Sequence, residues 1–406
     1  MTCLNEQPYI NPTYYARWKE ITEHPDLQYF KWGTMYDAQY ATIDPLELDK
    51  NFLQAIKQAT EACGLIYQKA VSFVLNNKRL LQILGLPPET IEFCSLDYDE
   101  NMPVTVIGRF DFAVDNKGNI KMLEFNSDTP SGVVETAELN GLISRLNKKN
   151  NPNLMFTDNV RAAFQKFTQA KKYENIVFTS LGWHIEDNGT TLAEMDYSGL
   201  LARYVSLDKL TVSDDALIDD NSNKIDLLYR LYPIEWFVRE EDGVKLLNLV
   251  TQKKLDILNP PSAFIAQSKV LQAVIWELAS STDYFSKEEK EIINRYFLPT
   301  YLESSYFKSI CYVAKPAYGR EGGGVYLYND KGSPDFFVED QEYEDNMIYQ
   351  TRTELPEITI NTWSGNFTGR LLVGSFLAGG VYSGTFLRVG KEITGNLAYF
   401  LPIVCK

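Results

Sequence analysis

The stretch GRFDFAVDNKGNIKMLEFN, Gly108 to Asn126, limits what this chain can fold into more than any other. Two runs of alternating apolar and polar residues flank a glycine-bearing break, which is the pattern of a β-hairpin. A two-residue turn at Lys117-Gly118 suits it, because glycine tolerates positive φ. That turn sets Asp111 opposite Glu124 and Arg109 opposite Asn126. Alternate side chains of a strand share a face, so these four project together, with Asp128 continuing the row. Leu123 and Phe125 then point the other way, towards a core.

Two carboxylates directly opposite each other repel. A divalent cation between them removes the conflict, and magnesium takes one or two carboxylates together with phosphate oxygens. The neighbouring arginine suits a phosphate or carboxylate through its bidentate fork. A solvent-facing hairpin with a cross-strand ion pair fits the same residues, and this segment alone leaves both readings open.

A second stretch, KPAYGREGGGV from Lys315 to Val325, lies between the strand-like runs ICYVA and VYLY. It is not a Walker A loop, since no GK[ST] is present and no helix follows. Lys315 at a strand end and Arg320 beside three glycines can still cover phosphates, with backbone N–H groups as further donors. An ordinary hairpin loop is the plainer alternative, although it needs at most one glycine.

The rest of the chain is α/β in character. Apolar residues recur at helical spacing from about Pro45 to Leu86, where Pro87-Pro88 ends the run. Helices are expected over about 131–170, with a break at 147–153. NIVFTSLG reads as a buried strand, EDNGTTLAEMDYSGLLARY as a helix, IDLLYRLYPIEWFV as a strand stopped by Pro233, and SKVLQAVIWELAS as a helix. The last hundred or so residues read as mostly β.

At 406 residues the chain is too long for one ordinary core, so two or three closely packed lobes are expected. The net charge of −15 argues against nucleic acid as the main partner and is compatible with a cationic substrate such as a polyamine. With only two histidines, His24 and His184, a His-rich zinc site and a Ser-His-Asp hydrolase are both disfavoured. Cys3, Cys63, Cys94, Cys311 and Cys405 are scattered and read as reduced thiols. The start has no apolar core of a signal peptide, and no run is long enough to span a bilayer. A cytoplasmic protein without a membrane partner is expected.

Arg109-Phe110-Asp111, then Glu124-Phe125-Asn126-Ser127-Asp128, then Lys315-Pro316-x-x-Gly319-Arg320, in this order, resemble the synthetase part of glutathionylspermidine synthase. That family includes short acid–amine ligases of about this length. LGWHIEDNGTT, LYPIEWFVRE and the ending GTFLRVGKEITGNLAYFLPIV are similar to family stretches as well. The resemblance implies a mixed α/β ATP-grasp fold with a pre-ATP-grasp-like domain and the metal-binding strands early in the chain. It divides the chain into a metal and substrate lobe at 1–165 completed by 360–406, a pre-ATP-grasp-like domain at 166–262, and an ATP lobe with a glycine-rich lid at 263–359.

By position, the resemblance implies that Asp111, Glu124 and Asn126 hold magnesium. Lys269, Lys315 and the lid glycines Gly322 and Gly323 would contact ATP, with Gln350 near the adenine. Arg320, Arg109 and Arg388 would act on the transferring phosphate or the activated carboxylate. Asp128, Thr129 and Ser131 would meet the acid. Glu235 can hold an amine or can be a helix-start carboxylate, and the same holds for Glu186 and Asp187. Trp183 and Trp236 read as core, and His184 as structural.

The activity implied is ATP-dependent joining of a small acid, peptide or amino-acid-like, to an amine. No amidase domain is expected, and so no hydrolysis of the product. A kinase-like phosphotransferase and a non-catalytic nucleotide-binding protein are the rival readings. Glu321 to Val325, and Pro130 with Gly132, depart from the family's usual residues, which leaves both substrates unnamed.

Overall fold

The protein is described from a computed structural model covering residues 10–96, 98–340 and 346–406. Cys3 and the rest of residues 1–9, the first part of the stretch read above for a signal peptide, lie outside the described residues.

In chain order, the elements that place the site are helix α1 (Lys50–Asn76), strands β1 (Ile107–Val114), β2 (Ile120–Asn126) and β3 (Ile176–Thr179), helix α2 (Ile185–Ser198), strands β4 (Leu227–Arg230) and β5 (Asp256–Leu258), helix α3 (Val270–Ser281), and strands β6 (Tyr312–Pro316), β7 (Tyr326–Tyr328), β8 (Met347–Thr351), β9 (Gly365–Ala378), β10 (Val381–Gly390) and β11 (Tyr399–Leu401). The architecture is mixed α/β and ATP-grasp-like.

Three sheets carry it. A six-stranded antiparallel sheet runs β11-β10-β9-β1-β2, with Glu357–Thr362 paired to the outer part of β9. It therefore joins the early hairpin to the last fifty or so residues. A parallel four-stranded sheet has β5, β4, β3 and Ala202–Tyr204 in that order. A five-stranded antiparallel sheet places β8 and β7 on either side of β6.

Helix α1 shows why the hairpin presents one polar face. Asp49 caps it, accepting from the Phe52 N–H at 2.8 Å. Its buried stripe includes Ile56, Cys63, Tyr67, Ala70 and Val74. Tyr67 packs edge-on against both Phe110 and Phe125, whose rings stack 3.9 Å apart. Burying one such side chain contributes on the order of 1.5–3 kcal/mol, so this face of the hairpin has a strong apolar anchor.

The expected pairs are present: Arg109 faces Asn126 and Asp111 faces Glu124. The route to them differs from the simple hairpin. The turn is longer than two residues, with the Asp115 N–H donating to Asn119 O and Gly118 at φ +81°. This would slip the pairing by one, but a bulge at Leu123 slips it back, since Phe112 pairs with Met122 while Asp111 pairs with Glu124. Leu123 is therefore not a core residue: it is half-buried and lines the cleft described below.

Two helices stop sooner than their apolar periodicity suggested. Helix α1 ends at Asn76, short of the prolines, and Lys78–Ile83 continues as a 3-10 helix. Helix α2 ends at Ser198 because Gly199 turns left-handed at φ +65°, and Ala202–Tyr204 becomes a strand. Among the described residues, no helix is long and apolar enough to cross a membrane.

Candidate active site

A cleft of about 570 Å³ opens where the three sheets meet. Arg109, Asp111, Glu124, Asn126, Thr129 and Ser131 line one wall. Lys269, Lys315, Arg320, Gly322 and Gln350 line the other, and Arg388 joins from β10. Residues about two hundred positions apart in sequence thus share one space.

On the hairpin wall, Arg109 donates to both oxygens of Asp111, from Nε at 2.7 Å and Nη2 at 2.9 Å. Its Nη1 donates to the Ser131 carbonyl at 2.8 Å, and the guanidinium lies over the Phe386 ring at 5.2 Å. Asn126 Nδ2 sits 3.2 Å from Glu124 Oε1 and 3.4 Å from Asp111 Oδ2, so the three side chains surround one point. Turning the Asn126 amide would aim its oxygen there. Burial and the facing Glu124 push the Asp111 carboxyl up, although Arg109 opposes this. Burial would raise Glu124 too, but Lys269 and Lys315 more than offset it and hold that carboxyl down at about 2.

The opposite wall is cationic. Lys269 Nζ lies 3.3 Å from Glu124 Oε2 and donates to Gly319 O at 2.7 Å. Lys315 Nζ donates to Gln350 Oε1 at 2.9 Å and to Leu123 O at 3.1 Å. Gln350 is in turn fixed by donating to Gln272 Oε1 at 2.7 Å and Thr300 Oγ1 at 3.1 Å. The carbonyl freed at the Leu123 bulge therefore anchors the lysine of a different sheet. Burial, partly opposed by Glu124 and reinforced by Lys269, lowers the Lys315 ammonium to about 8.

The glycine-rich loop closes over the cleft. Arg320 Nε donates to Glu235 Oε1 at 2.8 Å and Nη1 to Thr129 Oγ1 at 3.0 Å. Gly322 adopts φ +78°, and a Cβ there would meet Ile393 Cγ2 at 2.7 Å. Glu321 is also left-handed at φ +57°, and its carboxylate accepts from Asn396 Nδ2. Beyond Arg388 the cleft turns acidic and aromatic, with Tyr40, Glu186, Asp187 and Trp183. Burial and the charges of Glu135 and Asp187 push the Glu186 carboxyl up to about 8.

Three residues expected at the site stand elsewhere. Asp128 is fully buried, accepting from Arg230 Nη1 at 3.0 Å and Nη2 at 2.5 Å, so it fixes the 127–132 loop and is not on the wall. Glu235 is buried behind Arg320. Gly323 is buried in the loop itself, its N–H donating to Arg320 O at 2.8 Å. Conversely, Trp183 is not core: it is 77% exposed at the cleft mouth. Trp236 is half-buried beneath Arg320, its ring 5.9 Å from the guanidinium carbon. His184 caps α2 and also lines the cleft. Tyr36 and Tyr40 on the wall, and the Leu123 carbonyl, carried no local signal of their own in the sequence.

The residues present suit a hard divalent cation. Two carboxylates and an amide converge, leaving further positions to phosphate or water oxygens. Among the described residues, no group of three or more His, Cys, Asp and Glu could hold a metal without such help.

A cleft between an antiparallel hairpin sheet and a second, lysine-bearing sheet with a glycine loop is consistent with an ATP-grasp-like fold. The chain belongs to the glutathionylspermidine synthase preATP-grasp family, whose family model matches residues 13–406. It is 24% identical over 318 residues to a protein of Haemophilus influenzae named "Putative acid–amine ligase", covering 74% of this chain and 75% of that protein. Its fold is similar to that of a glutathione synthetase-like effector from Globodera pallida in its apo form, with a TM-score of 0.63, 13% identity, and coverage of 97% and 96% of the two chains. Membership of this synthase family makes the chain a ligase-type protein.

Proposed function

We propose that the protein is an ATP-dependent carboxylate–amine ligase that works through an acyl phosphate. One observation carries this reading: the carboxylate wall of Asp111 and Glu124 faces the lysine wall of Lys269 and Lys315 across one cleft, under a glycine loop. That is the arrangement a polyanionic nucleotide and its cation need, positive groups for phosphate and oxygens for metal.

Asp111, Glu124 and Asn126 would hold magnesium, which would neutralise phosphate charge. Lys269 and Lys315 would bind the phosphates, with Gln350 orienting Lys315. A carboxylate oxygen of the acid attacks the γ-phosphorus, the bond to the bridging oxygen breaks, and ADP leaves. The amine, having lost its proton, attacks the acyl carbon, and the bond to phosphate breaks to release inorganic phosphate. Arg109, Arg320 and Arg388 surround the place where negative charge accumulates. The acid would lie by Thr129 and Ser131, and the amine by Glu186 and Asp187, where the cleft is acidic. The closed loop limits water, which would otherwise hydrolyse the acyl phosphate.

The test is calorimetric titration of ATP with magnesium into the parent and into Glu124→Ala and Lys315→Ala. Binding in the parent that falls by about a hundredfold in each variant is expected. A screen for ADP release with acid and amine mixtures follows. A parent that binds no nucleotide would remove this reading.

A further inference from the structure

We infer that Glu235 is a positioning residue: it holds the lid by fixing Arg320, and it does not touch substrate. The inference rests on the ligase reading only for what Arg320 does once placed. Its structural basis is separate.

Glu235 lies in a single helical turn, Ile234–Phe237, that opens after Pro233. Only 6% of the residue is exposed, and it is not among the residues that line the cleft. Its Oε1 accepts from Arg320 Nε at 2.8 Å, while its Oε2 is buried with no hydrogen-bond partner among the described residues. A buried carboxylate in that state depends on its cation, because taking the cation away leaves an uncompensated charge. The turn beneath it is itself fixed. Arg230 donates to Tyr232 O at 2.7 Å as well as to Asp128, and the Ile234 N–H reaches Asp128 Oδ2 at 3.4 Å. Trp236 lies under the same guanidinium.

Arg320 is thus set by groups on two rigid supports, Glu235 on the turn and Thr129 on the 127–132 loop. With Nε committed to Glu235 and Nη1 to Thr129, the guanidinium plane is fixed at the cleft wall. The same contacts tie Gly319 to Gly322 down onto the cleft, because Arg320 stands in the middle of the loop. Lid opening must therefore break the Arg320–Glu235 pair.

The experiment is amide hydrogen exchange across residues 319–325 in the ligand-free chain, for the parent, Glu235→Gln, Glu235→Ala and Arg320→Ala. Exchange of the loop is expected to rise about tenfold or more in Glu235→Ala, and less in Glu235→Gln, which retains an acceptor. The Glu235→Ala/Arg320→Ala double variant should exchange no faster than the faster single one, since both remove the same contact. MgATP should leave Glu235→Ala faster in a chase experiment. In a turnover assay, kcat should fall with the KM for the acid little changed. Unchanged loop exchange in a folded Glu235→Ala, or a raised KM with a parent-like loop, would overturn the inference and make Glu235 a substrate contact. The exchange readout needs no substrate, so a chain that forms no ADP would sink the ligase reading and leave this one standing.

Discussion

At the scale of single residues, the buried Asp128–Arg230 pair does the most unexpected work. Both side chains are fully buried, and together they join the 127–132 loop to the end of β4. Removing one partner strands the other charge, so Asp128→Asn should destabilise the chain by about 3–5 kcal/mol in denaturant unfolding. Asp128→Leu with Arg230→Met should recover part of that loss. Nothing local in the sequence marks this pair, because its members are about a hundred residues apart. The alternation that put Asp128 in line with Glu124 and Asn126 fails once the strand ends at Asn126, and Ser127 and Asp128 are then both buried. Lys315 gives a pH signature at the same scale. Its ammonium is lowered to about 8 in the fold, below the ordinary lysine value. Between the two values the folded chain holds fewer protons than the unfolded one, so this group makes stability rise with pH there. Affinity for a polyanion runs the other way and should fall as pH rises through about 8, because the free protein has lost the charge. Titrations of MgATP at pH 7, 8 and 9 would check this, with Lys315→Met losing the dependence.

At the scale of elements, β9 shows how backbone space is used to aim a side chain. Gly374 lies between Asp111 on β1 and Phe386 on β10. A Cβ at Gly374 would come within 2.0 Å of Phe386 Cε1, so the ring occupies the place a side chain would take. That ring supports Arg109 from behind. Gly374→Ala should therefore cost about 1–3 kcal/mol through overpacking, seen as a lower melting temperature. It should also weaken phosphate binding, read in the same titration as for the parent. The elements themselves were largely legible in the sequence, since alternation and helical spacing are local properties. The hairpin, β3, β4, α3 and the strands around the glycine loop all occur where the pattern set them. Helix ends were less legible, because Asn77 and Gly199 stop helices by backbone conformation before the apolar pattern runs out.

At the scale of the whole molecule, the cleft exists because the chain returns. The last strands sit beside the β1–β2 hairpin, and the lysine-bearing sheet closes on the opposite side. Most side chains named from motifs share this space, since motifs record which residue types a site needs. The aromatic mouth formed by Tyr36 and Trp183 was not legible. Exposed aromatic residues look the same in sequence as buried ones, and only the packing of distant segments separates them. The acidic end at Glu186 yields a prediction at this scale. Burial and like charge hold that carboxyl protonated up to about pH 8, so the folded chain carries more protons there than the unfolded one. Its contribution to stability is therefore lost as pH rises from the ordinary carboxylate range through 8, and Glu186→Gln should flatten the melting temperature against pH over that window.

The extra residue in β2 separates inheritance of the fold from inheritance of the site. Without Leu123, the sequence Ile120, Lys121, Met122, Glu124, Phe125, Asn126 would alternate regularly, inward and outward, against an unbroken β1. The sheet gains nothing from the insertion, and the Lys315 ammonium gains a carbonyl. A chain lacking that single codon should still fold and still set Asp111 against Glu124, yet its lysine would be left to Gln350 alone. Such a deletion should weaken MgATP binding in a calorimetric titration while leaving the melting temperature near the parent's, and reinserting a residue there should restore the binding.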